Sequence, residues 1–336
     1  LETLKRIDLQ IWSPWIIALI LAVAIPPFLG GYLKSILILV CIWIIMTISL
    51  NLIFGYTGLL SAAHSAFLGL GGYSFALLTV KAGMSYWIAF SASIAIVGLA
   101  GLLIAFPALR LRGPYFVLVT LCFAIIVQVV IIAWISLTGG TNGISGIPRP
   151  PNLSLPFGIE VTFGTLLPMY YFVLFFLILI SLINHRIVHS LVGRTFIAVA
   201  QNEELAQSLG IGTVRVKLLS FVVSAIFAGV AGALYATFNS VVSPDLAHFL
   251  RGFDAFVFLI IGGVAFTVGP FIGPLVMIAI PELLQIVVGL KTLMYGVILL
   301  MFVLFMPYGI IGVFKRFNLM LEQLKRKVIK VSHGTT

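Results

Sequence analysis

The chain reads as an all-α polytopic membrane protein with about ten transmembrane helices, and three observations carry that reading. Of its 336 residues, 62% are hydrophobic and 8% charged, with a mean hydropathy of +1.24, whereas a soluble domain is charged at about a quarter of its positions. Apolar runs of about 20 residues recur along the chain, each long enough to cross a hydrocarbon layer about 30 Å thick as a helix. The runs are continuous instead of alternating, which excludes a β-barrel.

The elements follow in order. Leu1 to Gln10 places Lys5 and Arg6 ahead of an apolar run that starts at Trp12. Ala22-Val23-Ala24 imitates a signal-peptidase site, but the run continues to Leu29 with Pro26-Pro27 inside it. A retained first span at about 14–33 is therefore expected, behind a cytoplasmic segment 1–13. Further spans are expected at about 35–54, 62–80, 86–106, 114–135, 166–184, 216–238, 253–268, 270–289 and 291–308, so that 14–312 forms one membrane domain. Gly269-Pro270 and Gly289 leave open that their neighbours are half-helices or re-entrant segments, which would give about eight or nine crossings.

The formal charge of +10 reports orientation more than nucleic-acid binding. With the N-terminus inside, Lys5, Arg6, Arg110, Arg112, Arg186, Arg194, Arg215, Lys217, Lys315, Arg316, Lys325, Arg326, Lys327 and Lys330 fall in the cytoplasm. Only Lys34, Lys81, Arg149, Arg251 and Lys291 fall outside. This is the bias of the positive-inside rule, with both termini cytoplasmic. The tail 313–336 alternates basic and apolar residues as far as Lys330, the pattern of a segment resting on anionic membrane lipid.

Catalytic chemistry is missing from the pattern. His64, His185, His189, His248 and His333 have no HExxH spacing, and neither Gly-x-Ser-x-Gly nor a P-loop occurs. Cys41 and Cys122 sit in apolar runs without CxxC spacing and read as small core hydrophobes with no metal or redox role. Ionisable residues are almost absent from the expected spans; Asp254 and Glu282 fall near their outer ends. An ion-driven carrier would place charge at mid-membrane, so a passive gate worked by an external motor is favoured.

One polar stretch breaks the apolar text, Gly193 to Gly212. Asn202 is a good N-cap, Glu203 and Glu204 suit the positive end of a helix, and Gly210 suits the C′ position. A short helix of about two turns follows, with Leu205 and Leu209 four apart on one face. Locally an ordinary solvated loop helix reads as well. The order Glu204-Leu205-Ala206-x-x-x-Gly210 resembles the Glu-Ala-Ala-x-x-x-Gly loop of ATP-binding cassette importer permeases, with Leu205 in place of the second residue. In that family the loop is the coupling helix that sits in a groove of the ATPase. The resemblance assigns ATPase coupling to Arg194, Asn202, Glu203, Glu204, Leu205, Ala206, Leu209 and Gly210, within a cytoplasmic loop at about 185–215.

Three clusters rich in Gly and small residues, Asn51–Tyr73, Ser224–Ala233 and Ile261–Pro274, allow helix backbones to approach closely or break to line a cavity. Similar clusters in both halves hint at a structural repeat. The turn-rich stretch Trp134–Pro150 opens a folded external loop at about 136–165. Four blocks in order resemble the branched-chain amino acid permeases, the M-type (LivM-like) subunit best. They are Asn51-Leu52 through Gly58-Leu59-Leu60-Ser61, Leu109 to Phe116, Leu137-Thr138-Gly139-Gly140-x-Asn142-Gly143-Ile144, and Ile261-Gly262-Gly263 through Gly273.

The resemblance implies a type II importer permease of BtuC-like architecture in the bacterial inner membrane. It implies a homologous H-type permease, two ATPase subunits that bind ATP and Mg in this chain's stead, and a periplasmic substrate-binding protein received at 136–165 and 239–252. Branched-chain amino acids are the implied cargo; urea, short amides or organic acids are the same-family alternative, and an ion-coupled secondary carrier is the rival class. Polar side chains in the small-residue or mid-span stretches nominate Ser61, His64, Ser65, Thr120, Gln128 and Ser224 for the pathway. Two departures stand out. Ile125 and Gln128 occupy positions where family members carry Glu and Arg, and Ile197 and Ala200 replace basic residues early in the coupling loop.

Overall fold

A computed structural model describes residues 19–111, 113–155 and 159–283, with residues 296, 297, 300, 309, 310 and 312. The expected segment 1–13, the span at 291–308 and the tail 313–336 lie outside the described residues or nearly so, as does the side chain of Glu282. A short apolar helix, Leu19–Phe28, ends in the turn Pro26–Phe28, after which Leu29 is extended. Helix α1 (Gly31–Leu50) then starts, and it runs on through a π-helical turn, Asn51–Tyr56. The first boundary therefore lies at Gly30, before the expected end of the 14–33 span, because proline cannot supply the amide hydrogens a continuing helix needs.

Helix α2 (His64–Ala76) extends through a second π-helical turn, Leu77–Lys81. It is followed by α3 (Tyr86–Ala108), α4 (Pro114–Ala133), α5 (Leu166–Val188), α6 (Leu191–Gln201), α7 (Glu203–Ser208) and α8 (Thr213–Asn239). The α4–α5 connection holds a one-turn helix, Ile135–Thr138, and strands β1 (Ile144–Ser145), β2 (Leu153–Leu155) and β3 (Ile159–Val161). β2 and β3 pair antiparallel, and β1 pairs antiparallel with β4 (Val241–Val242), just after α8. Helices α9 (Phe249–Gly262) and α10 (Gly269–Leu283) follow. Among the described residues, five helices are long and apolar enough to cross a membrane: α1 with its extension, α3, α4, α5 and α8.

The expected span 253–268 is corrected. Its helix stops at Gly262, and Ala265 takes a left-handed φ of 63°. The turn is held from a distance. The Ala265 amide donates to Asn51 Oδ1 at 2.9 Å, and Asn51 Nδ2 donates to the Phe266 carbonyl at 3.1 Å. With 14 residues, α9 measures roughly 21 Å, short of a full crossing.

Burial divides the helices into two sets. The apolar windows of α1 and α8 are 89% and 67% buried within the chain, whereas those of α3, α4 and α5 are 33%, 28% and 39% buried. α2 belongs to the interior, since every residue from His64 to Ala76 except Leu70 is buried. In lipid, apolar surface alone does not drive helices together, so close backbone approach and van der Waals contact must. Gly71 lies so close to Gly229 that a β-carbon on it would collide with the Gly229 carbonyl, and one on Gly232 would strike the Leu68 carbonyl. Beside these contacts Phe67 meets Phe221 edge-on, 5.6 Å between ring centres. The two cysteines also separate: Cys41 is buried as expected, but Cys122 is exposed, on the outer face of α4 and not in the core.

Candidate functional site

The polar stretch forms a helical arm between α5 and α8. Ser190 caps α6 by accepting from the Gly193 amide at 3.4 Å, and α6 buries Gly193, Phe196 and Val199 against the bundle. Asn202 then caps α7, its Oδ1 accepting from the Leu205 amide at 3.0 Å. At the other end the Gly210 amide donates to Gln207 O at 2.9 Å and the Ile211 amide to Ala206 O at 3.0 Å. This pair of bonds is a Schellman close, and Gly210 meets its left-handed requirement with φ 82°. The expected short helix is therefore present, with its ends where the cap residues put them.

Only one side of α7 is tied down. Ala206 is buried at 2%, while Leu205 and Leu209 are 58% and 74% exposed. Glu203 Oε1 lies 2.6 Å from Lys217 Nζ in the first turns of α8, their side chains 27% and 11% exposed. Gln207 Nε2 donates to Thr213 Oγ1 at 2.9 Å, a second tie to α8. Arg194, Asn202, Glu204 and Gly210 are exposed. Of the eight arm residues nominated, Glu203 thus engages its own chain, Ala206 seats the helix, and the two leucines form an uncovered apolar ridge. Beneath the arm is a half-open cavity of about 690 Å³, walled by Thr57–Leu60, Pro114, Phe116–Leu118, Val199 and Ala200, with the Glu203–Lys217 pair at its edge.

Of the nominated pathway residues, Ser61, His64, Ser65 and Thr120 gather at the start of α2, while Gln128 and Ser224 lie further along α4 and α8. Thr120 Oγ1 donates to Phe116 O at 3.0 Å and accepts from the Ala62 amide at 3.1 Å, holding α4 to the start of α2. Ser224 Oγ donates to Phe221 O at 2.8 Å, and Ser61 Oγ accepts from the Ala63 amide at 3.3 Å. Gln128 is half-buried on α4, and Ile125 is 42% exposed on the same helix. His64 and Ser65 differ from these. Both are fully buried; the His64 ring lies beside the main chain of Ser49 and Ser61, but neither ring nitrogen nor Ser65 Oγ makes a hydrogen bond of good geometry. Ser49 Oγ, also fully buried, is in the same position. Each such group costs about 1–3 kcal/mol while it lacks a partner. Among the described residues, no three of His, Cys, Asp and Glu gather as a metal ion would require.

The family described as "Branched-chain amino acid transport system / permease component" matches residues 32–306 of this chain. The chain belongs to that family. The high-affinity branched-chain amino acid transport system permease protein LivM of Escherichia coli (strain K12) is 31% identical over 310 residues, covering 87% of this chain and 73% of the relative. LivH of the same organism is 28% identical over 282 residues, covering 80% and 90%. BraD of Pseudomonas aeruginosa is 27% identical over 282 residues, covering 80% and 91%. No solved structure matches the chain.

As a branched-chain amino acid permease component it is a multi-pass membrane transport protein. Two residues that matter to its interior escaped the sequence. Asn51 was visible only as the start of a Gly-rich block, and nothing near it points to Phe266, 215 positions away. Lys217 was one of many basic residues marking orientation, and its pairing with Glu203 needs the α7–α8 turn to bring them together.

Proposed function

We propose that this chain is one of a pair of homologous permease subunits in an ATP-binding cassette importer of a bacterial inner membrane. Its cargo is a branched-chain or similarly hydrophobic amino acid, handed over by a periplasmic binding protein and released inside. The arm α6–α7 lies on the cytoplasmic side with both termini, and two ATPase subunits, which carry the ATP and Mg, drive the machine. An H-type permease is the partner around the shared pathway. Nucleotide-driven closure of the ATPases moves α7, and the halves of the permease rock between outward- and inward-open states.

The observation that carries this reading is the ridge of Leu205 and Leu209, exposed on a helix capped at both ends and anchored to α8 through Glu203 and Lys217. Exposed leucines on an otherwise fixed helix suit a groove on a partner. The positive-inside bias supports the sidedness. The β1–β4 pairing supports a single receiving surface for the binding protein, since it joins the two loops assigned to that task. His64 and Ser65 are the residues proposed for the pathway, while Ser61, Thr120 and Ser224 have backbone partners close by.

Expression with the neighbouring transport genes, followed by purification in detergent, tests the proposal. The wild-type chain is expected to retain the ATPase subunit, and Leu205→Asp/Leu209→Asp to lose it at unchanged yield of folded permease. Equal retention by that variant would mean that α7 is only a loop helix.

A further inference from the structure

Two helices begin at the same place inside the bundle. After α8 the chain turns back along α2, with Val242 and Leu246 against Gly72, Ala247 against Gly69 and Gly252 against Ser65. Gly252 lies in the first turn of α9 and Ser65 in the first turn of α2. A β-carbon on Gly252 would sit 3.6 Å from the backbone nitrogen, Cβ and Oγ of Ser65, so the glycine leaves the amide and hydroxyl of Ser65 approachable from the α9 side.

Helix N-termini present amide hydrogens with no partner inside the helix, together with the positive end of the helix dipole. α2 has no side chain capping its start, and α9 has the His248 ring accepting from the Leu250 amide at 3.3 Å. The Arg251 amide also donates to His248 O at 2.9 Å, so α9 contributes mainly the positive end of its dipole, and together with the uncapped start of α2 it favours an anion where the two meet. The side chains agree. Ser65 Oγ is fully buried without a hydrogen-bond partner, as is the hydroxyl of Ser49 on α1, and the adjacent buried His64 ring has only the Ser49 and Ser61 main chain beside it, with no bond of good geometry. Arg251 and Asp254, both half-buried on α9, add one charge of each sign.

We propose that the meeting point of the α2 and α9 N-termini, Ser65 facing Gly252 with His64 beside it, holds the carboxylate of the amino acid during passage. The inference rests on the importer reading above. Ser65 supplies its amide and hydroxyl, His64 supplies one N–H, and the apolar side chain of the cargo lies against the surrounding phenylalanines, Phe67 among them. The donors are buried here, so passage requires movement of α9 away from α2.

The test is ATP-dependent uptake of labelled leucine by the complete assembly in proteoliposomes. Gly252→Asp tethers a carboxylate where the cargo's own would sit, and Gly252→Asn is its uncharged isostere. Gly252→Asp is expected to lower uptake at least about tenfold relative to Gly252→Asn, because the tethered anion occupies the helix N-termini. Ser65→Ala is expected to lower uptake, and His64→Leu to lower it further than His64→Gln. Equal effects of Asp and Asn at position 252, or wild-type uptake by Ser65→Ala and His64→Leu, would overturn the site. ATPase retention by each purified variant separates the two readings. If even the wild-type assembly fails to hold an ATPase, the importer reading has failed and not the carboxylate site alone.

Discussion

Gly71 and Gly229 bring α2 and α8 together backbone to backbone, whereas α7 is held to the same α8 by the Glu203–Lys217 ion pair and one side-chain hydrogen bond. The first contact works by leaving side chains out and the second by putting two polar pairs in. The interior of this permease is therefore specified by volume, and the arm by caps and charge. Volume errors propagate through α1, α2 and α8 together because these helices share one buried core. Errors in the arm stay within a few turns.

That contrast is broken most severely at Gly232. Gly232→Val adds bulk directly against the Leu68 carbonyl, where no flexible side chain can yield, and should cost about 3 kcal/mol or more. Thermal unfolding in detergent would show it as a large fall in Tm or as loss of folded protein. Glu203→Gln comes next, since it leaves the Lys217 ammonium, 11% exposed, without its counter-charge. Removing one member of a fully buried pair costs more, but Glu203 is 27% exposed, so about 1–2 kcal/mol is expected. Glu203→Gln/Lys217→Met should recover much of that loss, and a double-mutant cycle measures the coupling. Asn202→Ala is the mildest, about 1 kcal/mol from one lost cap. It should appear as faster amide exchange at Leu205 with the global Tm unchanged; a global shift would mean that the arm is part of the core.

The same contrast explains what was legible in the sequence. Asn202 and Gly210 act on amides within three or four positions of themselves, so both ends of α7 could be read locally. The long spans were legible as apolar runs, and α3, α4 and α8 fall within a few residues of the expected bounds. The break at Gly263 to Val268 was only partly legible: the Gly-rich cluster Ile261–Pro274 allowed a break, but nothing local fixed where it falls. It exists because Asn51, far away in sequence, binds the turn. Cys122 was misread for a related reason: an apolar run in a membrane protein does not say which face meets lipid. His64 and Ser65 were visible as polar residues among small ones, but only the packing of Gly252 against Ser65 sets them beside a second helix start.

The most direct test of the division between a motor-facing arm and a transporting interior is vesicle uptake with ATP supplied to one side only. The purified assembly is reconstituted, Leu209→Cys in an otherwise cysteine-free chain is labelled with an impermeant maleimide to fix the side of the arm, and labelled leucine is followed. Uptake is predicted only when ATP lies on the side where residue 209 is labelled, with leucine moving toward that side, and it should be insensitive to ionophores. Leucine transport without ATP, or collapse of transport by a proton or sodium ionophore, would contradict the account and make the chain an ion-coupled carrier.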